Sequence, residues 1–211
     1  MIGAYIELGF DHILDPQGYD HILFVVALCA IYLIQDWKKI LILVTAFTIG
    51  HSLTLALSSL KIVNISASLV ETLIPITIIL TCIYNIWKAQ SLRERSIADA
   101  NLDYIDQNLL SYQSNKKQES VMANYGLALG FGLIHGLGFS NFFKAMLGKD
   151  ESIVMPLLSF NIGVELGQII IVAMTLLLSY ILVNKIGLKR RYYTIGLSAA
   201  IAGWAVYLMC A

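Results

Sequence analysis

Asp15-Pro16-Gln17-Gly18-Tyr19-Asp20-His21 stands directly before an apolar run from Ile22 to Ile34. A carboxylate and an imidazole therefore lie at the entrance of a segment that is apolar enough to enter a membrane. Such groups are costly to remove from water, so they are usually paired, face a polar cavity or bind a cation. The stretch predicts a membrane helix that begins beside a polar site.

The composition of the whole chain agrees with that interpretation. Of 211 residues, 58% are hydrophobic and only 13% are charged, the net charge is zero, and the mean hydropathy is +0.74. Soluble domains carry about 25% charged residues. We therefore predict an all-α polytopic membrane protein with a single transmembrane domain over residues 1–211. The protein is expected to contact the lipid bilayer. The absence of a basic stripe in the sequence argues against a nucleic-acid partner.

Six apolar segments are long enough to span a bilayer. They lie at about 19–35, 40–60, 67–87, 121–144, 153–183 and 192–210. Residues 1–18 form a short polar and aromatic lead. Residues 88–120 are rich in Asn, Gln and Ser and form the predicted cytoplasmic loop. Within it Ala98, Leu102, Ile105 and Leu109 recur at helical spacing, which favours either a short amphipathic helix or, as the alternative, a disordered linker.

The distribution of basic residues predicts the orientation. Eleven Lys and Arg residues fall in the loops after the first, third and fifth predicted helices, and only Lys61, Lys144 and Lys149 lie on the other side. Because basic residues stay in the cytoplasm, both termini are expected outside. Phe47-Thr48-Ile49-Gly50 and Phe160-Asn161-Ile162-Gly163 echo each other and are compatible with a three-plus-three inverted repeat.

The fourth predicted helix is rich in glycine around one histidine. Gly126, Gly130, Gly132, Gly136 and Gly138 surround His135. Glycines at such spacing indicate either close helix packing or a break in the helix.

Polar residues of several predicted helices fall at a similar depth when each is placed by about 1.5 Å of rise per residue. Imidazole and carboxylate groups together are the ligands that Ni, Zn, Co, Mn or Fe ions accept. The predicted metal ligands are Asp20, His21, His51, Glu71, His135 and Glu165. Thr48, Ser52, Asn161 and Gln168 are predicted to orient the ligating rings. All of them lie in the outer half of the membrane, and we find no comparable set in the inner half.

Other interpretations of these residues stay open. The carboxylates and histidines could pair with one another for purely structural reasons. Asp11, His12 and Asp15 in the lead either form an outer lid or are ordinary solvated groups, and we favour the second. Cys29, Cys82 and Cys210 are isolated in apolar surroundings and are interpreted as core residues.

Five motifs, in order, resemble the HupE/UreJ family of membrane proteins over nearly the whole length. The matching stretches are Gly18 to Phe24, Thr45 to Leu55, Val70-Glu71, Gly132 to Phe139 and Phe160 to Gln168. The resemblance implies a nickel or similar divalent-metal permease in the bacterial inner membrane. The nickel-permease branch has His-x5-Asp-His in its first helix where this chain has Asp15 and then Asp20-His21, and it has a second His-Gly motif that this chain lacks. The chain thus resembles the second, less characterised branch.

The preferred hypothesis from the sequence is a permease for a divalent transition-metal ion. The alternative is a membrane-embedded zinc-dependent hydrolase with an outward-facing active site, although no H-E-x-x-H pattern supports it. A metal-binding sensor or assembly partner without transport is a third interpretation. A homo-oligomer is compatible with all three.

Overall fold

The computed structural model describes residues 2–16, 18–99, 107–146 and 152–210, and for residues 91–99, 107–123 and Asn141 it describes the backbone alone. All regular structure in these ranges is helical. The helices are α1 (Ile2–Leu14), α2 (Asp20–Cys29), α3 (Trp37–Ser59), α4 (Ala67–Asp99), α5 (Gln107–Met146), α6 (Val154–Ser179) and α7 (Arg190–Cys210). A 3-10 turn, Ile34–Asp36, precedes α3, and a π-helical stretch, Tyr180–Lys185, follows α6.

Four helical segments of the described chain are long and apolar enough to cross a membrane. They are Ile34–Ser59, Ala67–Gln90, Val154–Lys185 and Arg190–Cys210. Large apolar side chains are exposed along them, including Ile49 on α3, Met174 on α6 and Tyr207 on α7. Continuous apolar surface of this kind fits contact with lipid, so the predicted all-helical membrane class agrees with the fold.

The lead segment is a helix, which was not expected from the sequence. Helix α1 packs along α6, and the two backbones nearly touch. A Cβ on Gly9 would overlap the carbonyl of Phe160, and one on Gly163 would overlap the carbonyl of Ile6. Small residues permit such close contact between membrane helices. This packing draws the first residues of the chain into the helical bundle.

The first predicted span, 19–35, is interrupted. Helix α2 has only ten residues and ends at Cys29, although no glycine or proline follows. Carbonyls at and just after the helix end accept bonds from side chains of α4 and of the start of α7. The bonds run from Asn85 to Ala27 (2.7 Å), from Thr194 to Ala30 (2.9 Å) and from Arg190 to Ile31 (2.5 Å). Because the bundle satisfies these carbonyls, the helix can stop inside it.

Helices α4 and α5 extend into the segment predicted to be a cytoplasmic loop. The backbone is helical up to Asp99 and again from Gln107. Two of the apolar residues behind the predicted amphipathic helix, Leu102 and Ile105, lie outside the described residues, so that helix stays a prediction.

The glycine-rich helix packs closely and does not break. Helix α5 is continuous through His135, and its glycines lie on the backbone of α3. A Cβ on Gly132 would overlap the carbonyl of Phe47, and one on Gly136 would overlap that of His51. In return, a Cβ on Gly50 would overlap the carbonyl of Leu129. Of the two alternatives drawn from the sequence, close packing is confirmed.

We expect Gly132→Ala to destabilise the fold and Gly130→Ala to leave it unchanged. The first substitution forces α3 and α5 apart, at a cost typical of overpacked cores, about 1–3 kcal/mol. Gly130 lies on the same helix, and a Cβ added there would meet no other atom within 4 Å, so it is a matched control. Thermal unfolding in detergent measures both. Equal melting temperatures for the two variants would contradict the close α3–α5 contact.

Candidate metal centre

The chain has four histidines, and the fold brings all four together. His12 lies near the end of α1, His21 in the first turn of α2, and His51 and His135 inside α3 and α5. The ring centroids are 4.5 Å apart for His12 and His21, 5.7 Å for His12 and His51, 5.7 Å for His21 and His51, and 5.2 Å for His21 and His135. We call these residues the histidine cluster.

The helix packing described above produces this convergence. Gly136 lies against the carbonyl of His51, so the neighbouring His135 enters the bundle at the level of His51. Gly9 lies against Phe160 of α6, which brings His12, one helical turn later, to the same region. The turn after α1 then places His21 between them.

Aromatic rings enclose the cluster. His51 and His135 are fully buried, and His21 is 4% exposed. The ring centroids of His12 and Phe139 are 3.8 Å apart, and the ring of His51 is stacked on that of Phe160 with centroids 6.3 Å apart. On the other side the ring of His135 lies 5.0 Å from Phe24. The surroundings therefore offer the imidazoles apolar contacts and few polar partners.

Each of the four rings has a nitrogen without a hydrogen-bond partner among the described residues. These buried atoms are Nε2 of His12, Nε2 of His21, both ring nitrogens of His51, and Nδ1 of His135. A buried polar atom without a partner costs about 1–3 kcal/mol. Four such rings in one place require an explanation, and a shared metal ion supplies one.

Asp20 fixes the tautomer of His21. Its Oδ1 lies 2.9 Å from His21 Nδ1 and also accepts the backbone N–H of His21 at 2.9 Å. A carboxylate can only accept, so Nδ1 carries the hydrogen and Nε2 keeps its lone pair. Carboxylate–histidine pairs of this kind are typical of metal sites, where they orient the ring and raise its basicity.

Thr77 on α4 does the same for His135. Its hydroxyl donates to the carbonyl of Ile74 at 2.7 Å and lies 3.1 Å from Nε2 of His135. Since its hydrogen is used, the hydroxyl accepts from Nε2, and Nδ1 of His135 is left with a lone pair. Sequence reasoning did not identify Thr77, because nothing in the sequence relates residue 77 to residue 135.

Asp20, His21 and His135 form a group that could hold a metal ion. One ligand atom from each lies within 4.8 Å of the other two. Two metal–ligand bonds of about 2.1 Å span at most about 4.2 Å, so only small side-chain movements are needed. Neutral imidazole suits Zn, Cu, Fe and Ni, and the donor set therefore fits a divalent transition metal without selecting one.

The other predicted ligands occupy three different places. His51 joins the histidine cluster through its ring contacts. Glu71 is exposed near the start of α4. Glu165 is half-buried on α6, where its Oε1 accepts the hydroxyl of Thr45 at 2.5 Å. As metal ligands, Glu71 and Glu165 remain predictions.

The residues predicted to orient the ligating rings bond to one another across α3 and α6. Thr48 donates to Gln168 at 2.8 Å, and Ser52 donates to Asn161 at 2.6 Å. Together with the Thr45–Glu165 bond, these make three hydrogen bonds between the two helices. These bonds hold α6, which carries Phe160, against α3, which carries His51.

His12 was wrongly interpreted as a solvated residue. A helical lead was not expected, and without it residue 12 has no reason to approach residue 21. One signal could have pointed to it: Gly9-x-x-His12 repeats the spacing of Gly132-x-x-His135. Asp11 and Asp15 are exposed, and with His12 and Phe139 they line a cavity of about 580 Å³ between α1 and α5.

We expect Thr77→Val to weaken metal binding about 10–100-fold, the usual effect of losing a side chain that orients a ligating histidine. The variant keeps the shape of the side chain but cannot accept from His135. Thr175→Val is the control, since Thr175 is similarly buried and its described bond is within α6, to Ile171. Competitive titration with a metal chelator in detergent gives both affinities. Equal affinities for the two variants would contradict the role of Thr77.

Comparison with known proteins gives one match. No curated protein and no solved structure matches the chain. The family described as HupE / UreJ protein matches residues 1–211, the full length. The match includes all four members of the histidine cluster and Asp20. The chain therefore belongs to the HupE/UreJ family.

Proposed function

We propose that this protein is a permease that takes up a divalent transition-metal ion, nickel or a chemically similar one, through the histidine cluster. The observation that carries the proposal is the meeting of four histidines, three of them buried and each with a ring nitrogen that has no described partner. Asp20, His21 and His135 among them lie close enough to share an ion. Ionisable residues inside membrane helices are rare, and they commonly mark ion pathways.

The proposed binding site consists of Asp20, His21, His51 and His135, with His12 added to the residues predicted from the sequence. Neutral imidazoles would replace part of the hydration shell of the ion. Asp20 would bind directly or act through His21. Glu165 could bind the ion only after its hydrogen bond with the Thr45 hydroxyl is broken. We therefore do not include Glu165 among the residues that bind the ion first.

We propose six membrane passages, of which α1 and α2 together form the first. At about 1.5 Å per residue their lengths are roughly 20 and 15 Å, and a bilayer core is about 30 Å thick. Tyr5 on α1 packs against Phe143 near one end of α5, whereas α2 meets Asn85 far along α4. The two short helices thus extend to opposite sides, and the break between them coincides with the histidine cluster, as in transporters with discontinuous helices.

The proposed orientation follows the basic residues, with both termini outside and Lys38, Lys39 and Lys88 in the cytoplasm. In this orientation the cavity beside His12 opens outward. Its carboxylates, Asp11 and Asp15, would attract cations from outside and lead them toward the cluster.

An inverted repeat is also part of the proposal. Helix α1 lies parallel to α6, because Ile6 approaches Gly163 and Ile13 approaches Gly167. Helix α5 lies parallel to α3 in the same way. The two pairs share a Gly-x-x-His on one helix and the echoing Phe-x-Ile-Gly on the other, which supports two related halves around the cluster.

The first experiment is elemental analysis of the purified protein by mass spectrometry, followed by uptake into proteoliposomes. We expect stoichiometric metal in the wild type and in Thr175→Val, which removes a buried hydroxyl bonded to Ile171 and serves as control. His51→Ala should lose both metal and uptake, because it removes a fully buried ligand.

Two results would contradict the proposal in different ways. Retained stoichiometric metal in His51→Ala and His135→Ala would show that the histidine cluster is not the binding site. Bound metal without any movement into the liposomes would exclude a permease and favour a metal-dependent hydrolase or sensor.

A further inference from the structure

A set of uncharged polar residues extends along α4 on one side of the histidine cluster. Thr77, Thr81 and Asn85 are 2%, 7% and 1% exposed. Their spacing of four residues places them on one face of the helix, over roughly 12 Å. The set begins at His135, which Thr77 contacts, and continues toward Lys88 at the proposed cytoplasmic side.

Helices α2 and α5 border the same face. Asn85 bonds to the carbonyl of Ala27 on α2. From α5, Asn124 is 8% exposed; it accepts the hydroxyl of Tyr84 at 2.8 Å and donates to the hydroxyl of Tyr32 at 3.2 Å. Lys88 in turn donates to Tyr84 at 3.3 Å. Polar groups from three elements thus continue from the cluster to a basic residue.

One aromatic side chain lies beside the point where this face meets the cluster. Phe24 is fully buried one helical turn after His21. Its ring centroid lies 5.0 Å from that of His135, 4.8 Å from that of Phe47 and 5.8 Å from that of Phe131. Ala27 on α2 and Ala128 on α5 are small buried side chains, and Ile78 and Cys82 of α4 pack in the same apolar cluster as Phe24.

Thr81 differs from the other members of this face, which bond to neighbouring elements. A side chain that holds helices together would bond to a neighbouring helix. The described bond of the Thr81 hydroxyl is to the carbonyl of Thr77, on its own helix. Among the described residues, no donor bonds to its oxygen. Buried hydroxyls at this spacing instead offer weak oxygen acceptors in a row, which suits an ion that must bind and leave again.

We propose that the face formed by Thr77, Thr81, Asn85 and Asn124 is the inner half of the metal route, closed in this conformation by Phe24. The inference rests on the proposed permease function. It supplies an exit where the sequence predicted no ligand-type residues. The oxygens would contact a partly hydrated divalent cation that has left the stronger imidazole ligands.

The first test compares Thr81→Val with Thr175→Val, both of which remove a buried hydroxyl bonded to its own helix. In proteoliposomes loaded with a metal-sensitive dye, we expect uptake of Ni²⁺ to fall about tenfold for Thr81→Val, the rate effect of one lost hydrogen bond to the hydration water of the moving ion. Metal stoichiometry at the cluster should stay at the wild-type value in both variants. Unchanged uptake in Thr81→Val would overturn the route.

The second test does not depend on transport. Cysteines are introduced as Thr81→Cys, Asn85→Cys and, for control, Thr175→Cys, in a chain whose three native cysteines are alanine. We expect a membrane-impermeant thiol reagent on the cytoplasmic side to label residues 81 and 85 but not 175, and saturating Ni²⁺ to change the rate of labelling. If neither residue is labelled, with or without Ni²⁺, the proposed route is overturned, even if the wild-type protein takes up metal. If both are labelled while the wild type moves no metal, the water-accessible face stands and the permease function fails.

Discussion

The approach of α3 and α5 to backbone contact is the constraint on which the site depends. Gly50, Gly132 and Gly136 leave no room for a side chain between the two helices, and this brings His51 and His135 into one layer of the bundle. The same kind of contact between α1 and α6 brings in His12. In a membrane, where lipid is as apolar as the helix surfaces, small residues provide tight packing that hydrophobic burial cannot. The glycines therefore determine the geometry of the histidines as well as the stability of the fold.

The second requirement is a helix that ends inside the bundle. Helix α2 stops after ten residues, and a free helix end in a membrane is tolerated only where the protein itself bonds the exposed carbonyls. Asn85, Thr194 and Arg190 provide those bonds. At its other end, α2 begins with the Asp20-His21 pair. The short helix thus carries part of the candidate metal site at its N-terminus, and its C-terminal carbonyls are bonded by other helices. Both ends depend on α4, which carries Thr77 as well as Asn85.

Much of this could be predicted from the sequence, and the limits have physical causes. Helical membrane character follows from composition, and Asp20, His21, His51 and His135 follow from the rule that membrane interiors reject ionisable groups without a purpose. His12 was missed because a short, partly charged helix has no hydropathy signal. Thr77 was missed because threonine is common in membrane helices. The length of α2 was missed because no local residue ends it; its end depends on side chains far away in the sequence.

These misses bear on the choice between a permease and a hydrolase. A hydrolase needs metal and an opening on one side, and the cavity at Asp11 and Asp15 would be enough for it. It does not require the buried polar side chains from Thr77 to Asn85. A hydroxyl that bonds to its own helix adds no contact between helices. Asn85 contributes the bonded end of α2, but Thr81 makes no such contribution to the described fold. A passage that carries an ion onward from the histidines gives Thr81 a role, and this favours the permease.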